Sequence, residues 1–117
     1  MIEGRGEYVY RAKLKKVVDG DTLDFELDLG FHTTVSIRTR LLDVDAPEVR
    51  GSEKPMGLQV KSLVIGFFEK WKEDEIIVET RKTGKYGRWL ARVWVGDYYL
   101  NDLIVSWSRE ARSVKFD

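Results

Sequence analysis

The chain has 117 residues, 43% of them hydrophobic, with 20 basic and 20 acidic residues and a formal net charge of zero. That length suits one domain, and the charge balance argues against tight passive binding to nucleic acid, whose dedicated binders are usually basic. With no cysteine and a single histidine, His32, disulfides, thiolate chemistry and sulfur-held zinc are excluded. Any bound metal would therefore rest on oxygen, as Ca²⁺, Mg²⁺ and Mn²⁺ do.

Residues 1–6 contain Ile2-Glu3-Gly4-Arg5, the sequence cut by a common tag-removal protease, and are set aside from the fold reading. The amino terminus has no apolar run of signal-peptide length, and no stretch approaches the roughly 20 apolar residues of a membrane span. The expectation is a cytoplasmic protein, unless this is the mature form of a secreted one. No membrane partner is expected, and the absence of a long apolar patch points to a monomer.

Arg11, Lys13, Lys15 and Lys16 form a basic run leading to Val17-Val18-Asp19-Gly20-Asp21-Thr22, which reads as a strand ending in a hairpin turn. Leu23, Phe25, Leu27 and Leu29 then alternate with Asp24, Glu26 and Asp28, the period of a half-buried strand. A third strand is expected over residues 33–42, with Val35, Ile37 and Thr39 on one face and Arg38 and Arg40 on the other. Residues 54–72 switch to helical spacing, with Pro55 suited to the first turn. Two more strands follow at residues 76–78 and 90–95, separated by the loop Thr83-Gly84-Lys85-Tyr86-Gly87. After a Gly96-Asp97 turn and Tyr98-Tyr99-Leu100, Asn101 or its neighbour is expected to cap a short helix running toward Ala111. Five strands, a helix between the third and fourth, and a short C-terminal helix make an α+β layout, that of the OB-fold barrel.

The chemistry gathers in a few places. Asp21 and Asp45 sit in turn-like settings and can hold a hard divalent cation. Arg40 precedes the second motif and Arg88 follows the 83–87 loop, and guanidinium forks grip phosphate. Carboxylate-held metal plus arginine is the equipment for cutting a phosphodiester. The second basic run, Arg81, Lys82, Lys85, Arg88 and Arg92, and the acidic stretch from Asp19 to Asp28 fit a basic rim around an acidic pocket. They fit an ordinary solvated surface equally well. Phe25, Phe67, Phe68, Trp71 and Trp94 are expected in or against the core, and His32 in an exposed loop.

Three stretches, Val17 to Thr22, Arg40-Leu41-Leu42-Asp43-Val44-Asp45-Ala46-Pro47-Glu48, and Lys85-Tyr86-Gly87-Arg88, taken in that order, resemble the staphylococcal nuclease (thermonuclease) family. The resemblance spans about residues 13–111. It implies a Ca²⁺-dependent nuclease on an OB barrel that cuts DNA and RNA with little sequence preference, leaving 3′-phosphate and 5′-hydroxyl ends. By position it assigns Asp21, Asp45 and the Ala46 carbonyl to the metal, Glu48 to the attacking water, Arg40 and Arg88 to the scissile phosphate, and Lys85 and Tyr86 to a terminal phosphate. Oxygen ligation alone leaves Mg²⁺ and Mn²⁺ open beside Ca²⁺. The chain departs from the family at Ser108, where glycine is common. It also lacks the late tyrosines that stack on the base, leaving Trp107 and Phe116 as the available rings. The alternative reading is a non-catalytic OB module that binds single-stranded nucleic acid, or a protein partner.

Overall fold

A computed structural model describes residues 8–82 and 88–113. The strands are β1 (Val9–Asp19), β2 (Thr22–Asp28), β3 (Thr34–Leu41), β4 (Ile76–Lys82), β5 (Trp89–Val95) and a two-residue β6 (Tyr98–Tyr99). Helix α1 (Lys54–Lys70) lies between β3 and β4, preceded by one 3-10 turn (Gly51–Glu53), and α2 (Leu100–Ser113) follows β6. The sheet runs β3-β2-β1-β4-β5-β6, and a parallel pairing of β3 with β5 closes the first five strands into a mixed barrel of the OB type.

Alternation sets the barrel interior. Leu23, Phe25 and Leu27 of β2 are buried while Asp24 and Glu26 between them reach toward solvent. β1 serves two neighbours, β4 through Val9 to Ala12 and β2 from Ala12 onward. Irregularities in its register at Leu14/Lys16 and Val17/Asp19 bend it from one to the other. The β2–β3 hairpin ends in a tip where Gly30, Phe31 and His32 all have positive φ, and Phe31 is 99% exposed.

Helix α1 carries Pro55 in its first turn, where the missing N–H leaves nothing unpaired. Gly57, Val60, Val64 and Phe68, three or four residues apart, form its buried stripe. The helical expectation holds, but Leu58, Leu63 and Ile65 fall off that stripe and remain 41–48% exposed. Helix α2 buries Leu100, Asn101, Ile104, Ser108 and Ala111. The helices meet through rings: Phe67 lies 5.8 Å from Trp107 and 5.6 Å from Tyr98, which is 5.2 Å from Trp71. Trp107 is thereby committed to packing between the helices. Phe25 and Phe68 are core residues, and Trp94 stacks on Tyr99 at 5.2 Å.

Asn101 does not cap a helix. It lies inside the first turn of α2, fully buried, and its amide is spent on the barrel. Its Oδ1 accepts the Val93 N–H at 3.0 Å, and its Nδ2 donates to the carbonyls of Leu42 and Ala91, each at 3.0 Å. One side chain thus ties α2 to β5 and to the start of the loop after β3. Among the described residues, no helix is long and apolar enough to cross a membrane.

Candidate functional site

Asp21 occupies the tight turn between β1 and β2. Its N–H donates to Asp19 Oδ1 at 3.1 Å, closing the turn, and its carbonyl accepts the Leu41 N–H at 2.8 Å, pinning the turn to the end of β3. The Asp21 carboxylate is 13% exposed. Oδ1 accepts the Thr22 hydroxyl at 3.1 Å; Oδ2 accepts the Ala46 N–H at 3.2 Å and lies 3.7 Å from Arg40 Nη2. The β1–β2 turn and two points of the 40–48 stretch therefore meet at one carboxylate.

Close packing makes the meeting possible. A Cβ on Gly20 would lie 2.8 Å from both Ala46 Cβ and Val60 Cγ1, so only glycine lets the turn approach the loop and α1 this closely. Burial, then the hydrogen bond and charge of Asp19, push the Asp21 carboxyl up to about 6, against the lowering pull of the Ala46 N–H and Arg40.

The loop of residues 42–50 begins with the Leu42 N–H donating to the Ala91 carbonyl at 2.8 Å and turns at Asp43, whose φ is +59°. Val44, Ala46 and Pro47 are buried, whereas Asp43, Asp45 and Glu48 are exposed. The loop thus buries its alternate residues and presents its acids. Arg112 of α2 clamps the loop: Nη1 donates to the Asp45 carbonyl at 2.7 Å and Nη2 lies 3.6 Å from Glu53 Oε2. Arg40 is the penultimate residue of β3, on the face opposite buried Thr39 and Leu41. The parallel seam pairs Thr39 with Trp89 and Arg40 with Leu90, so the chain at exposed Arg88 enters alongside the strand that carries Arg40.

The structure thus brings Asp21, Arg40 and the Ala46 backbone into contact and places Asp45 and Glu48 on the same loop and Arg88 at the adjoining seam. Lys85 and Tyr86 lie outside the described residues, as do residues 1–7 and Phe116. Among the described residues the basic rim does not form as a ring. Arg81 and Arg92 both face the buried Glu79, at 3.7 and 3.6 Å, and Asp24 is bound by Arg38 at 2.8 Å, which holds its carboxyl below the usual range. Arg11, Lys13, Lys15 and Lys16 line a separate groove of about 730 Å³ between β1 and the end of α1, which they share with Glu26, Asp28, Glu69, Asp74 and Glu75.

Oxygen donors suit a hard divalent cation, and two carboxylates with a carbonyl would leave the rest of a six-to-eight-ligand shell to water and substrate. A mostly buried carboxyl raised first by burial and then by a second acid is one that a cation would relieve. Among the described residues, no three of the Asp, Glu or His side chains gather as a metal-holding cluster. Sequence reading missed Arg112 and Gly57, and marked Ser108 only as a departure from the family. Arg112 lies 67 positions from its partner Asp45, a distance no local pattern encodes.

No family model matches the chain. Its sequence is similar to a protein named Protein ParB from Escherichia coli, 32% identical over 85 residues. The match covers 73% of this chain and 42% of that protein, so the chain spans less than half the length of this relative.

Proposed function

We propose that the chain binds the phosphate backbone of DNA or RNA at the corner formed by Asp21, Arg40 and Asp45. The finer reading is that it hydrolyses a phosphodiester there with a divalent cation, in the manner of the staphylococcal nuclease family, giving 3′-phosphate and 5′-hydroxyl ends. The observation that carries the proposal is the convergence on Asp21, which the Ala46 N–H reaches at 3.2 Å and Arg40 at 3.7 Å.

In this reading Asp21, Asp45 and the Ala46 carbonyl would hold the cation, Ca²⁺ by resemblance. When bound, such an ion offsets the charge of the phosphodiester and polarises a phosphoryl oxygen. Arg40 and Arg88 receive the phosphate with planar forks that gain most where charge develops. Glu48, solvent-facing on the loop that would supply cation ligands, would accept a proton from the attacking water. Lys85 and Tyr86 would contact a terminal phosphate. A pocket closed around one phosphate favours flexible, single-stranded substrates.

One observation favours a second reading, an OB module that binds strands without cutting them. Asp21 is already engaged by Ala46 and Arg40, and no ready-made acidic cage stands beside it among the described residues. Cleavage of denatured DNA in Ca²⁺, Mg²⁺ or EDTA, beside Glu48→Ser and Arg40→Gly, separates the two. The nuclease reading expects metal-dependent cutting that both substitutions largely abolish. Binding with no cutting in any metal would leave only the module.

A further inference from the structure

Between the 42–50 loop and α2 lies a cavity of about 320 Å³, lined by Asp43, Asp45, Val105, Ser108, Arg109 and Arg112. Ser108 is 2% exposed, and its hydroxyl has no hydrogen-bond partner among the described residues. Helical serines commonly donate to the carbonyl one turn back, and this one does not. A buried hydroxyl without a partner, lining a cavity, marks a position where a polar ligand would be met.

The other side chains decide the ligand's sign. Arg112 is engaged by the Asp45 carbonyl and Glu53. Arg109 is exposed, with no side-chain ion pair or hydrogen bond among the described residues. A hydroxyl donor beside an unspent guanidinium suits an oxyanion. Asp43 and Asp45 oppose it, but both are exposed, and Asp45 is the residue to which the proposed function gives a cation. With that charge offset and Arg112 paired to Glu53, Asp43 and Arg109 balance, and the cavity no longer opposes an anion. Asp45 lines the cavity and the next residue, Ala46, donates its N–H to Asp21, so an anion held here and a phosphate held there would belong to one strand.

We propose that this cavity is a second phosphate subsite, in which Ser108 and Arg109 receive the phosphodiester next to the one held by Arg40 and Arg88. The inference rests on the nucleic-acid reading above and on the cation it assigns to Asp45, but not on hydrolysis.

The test is fluorescence anisotropy with oligothymidylates carrying one, two or three phosphodiesters, in Ca²⁺ and in a Glu48→Gln background that keeps the probes intact. The parent should gain about ten-fold in affinity when the second phosphodiester is added, the scale of a charge-assisted hydrogen bond. Arg109→Gln and Ser108→Ala should each remove most of that gain, and Arg109→Gln should flatten the salt dependence by about 0.7 in logarithmic slope. A methylphosphonate at the second linkage should abolish the gain in the parent. Folded variants that keep the full gain, or a gain that survives the uncharged linkage, would overturn the subsite. Failure of the parent to bind any of the probes would overturn the nucleic-acid reading itself.

Discussion

Gly57 and Glu48 are in direct backbone register: a Cβ on Gly57 would lie 2.0 Å from the Glu48 carbonyl oxygen and 2.4 Å from its carbonyl carbon. Helix α1 is therefore the seat of the loop segment that holds the proposed base. Gly57→Ala cannot be absorbed by a flexible side chain, because the obstacle is main chain. The expected cost is about 1–3 kcal/mol of stability, as for overpacking. Under the nuclease reading, displacement of Glu48 should lower kcat by about 10²-fold, as for a misplaced catalytic group. Urea unfolding and nuclease rates on the same preparation check both.

Asp21 gives a pH dependence with a definite sign. Its carboxyl is raised from 3.8 to about 6 in the folded chain. The fold is thus favoured below the unfolded value, and this contribution is lost as pH rises through about 6. In EDTA, Asp21→Asn should stabilise the protein at pH 7.5 by about 2–3 kcal/mol, with the difference shrinking to nothing below pH 4. Urea midpoints of parent and variant across that range test it. A constant difference would show that burial and Asp19 do not control the group.

Arg40→Lys keeps the charge beside Asp21 but loses the planar fork. Under the nuclease reading, kcat should fall on the order of 10²-fold or more, as for loss of a pre-organised donor at a developing negative charge. The melting temperature should move little, since the Arg40–Asp21 contact is 3.7 Å long and partly exposed. A wild-type rate in Arg40→Lys would mean that the fork is not used.

Asn101→Ala removes three hydrogen bonds at once, two buried and one part-buried; the Val93 N–H and the Leu42 carbonyl lose this partner, while the Ala91 carbonyl keeps the Leu42 N–H. A loss of about 2–4 kcal/mol is expected, because buried polar groups stripped of partners carry their full desolvation cost. Leu103 and Ile104 stay in place, so circular dichroism should still report a helical protein that melts earlier.

Much of this arrangement was legible in the sequence because it is local. Alternation from Leu23 to Leu27, the Asp19-Gly20-Asp21 turn and Pro55 before a helical run each announce their element within a few residues. The proposed site was legible as residue types and order. Its geometry was not, because Asp21 reaches Ala46 across 25 positions and Arg112 reaches Asp45 across 67. Asn101 was misjudged for the same reason. Its type suits a helix cap, but its partners on β5 and beyond β3 are set by barrel closure, not by the helix it begins. Helical spacing over residues 54–72 did not reveal which face is buried: Leu58, Leu63 and Ile65 are exposed, and Gly57, Val60, Val64 and Phe68 form the stripe.

The barrel's parallel seam rests on three residue pairs, Thr39 with Trp89, Arg40 with Leu90, and Leu41 with Ala91. Two of the proposed phosphate-binding arginines belong to that join: Arg40 is part of it and Arg88 immediately precedes it. Closure of the sheet and assembly of the site are therefore one event. A chain with an open seam has no half-built pocket to offer a strand, and amide protection at Leu90 and Ala91 should appear and vanish together with the capacity to bind.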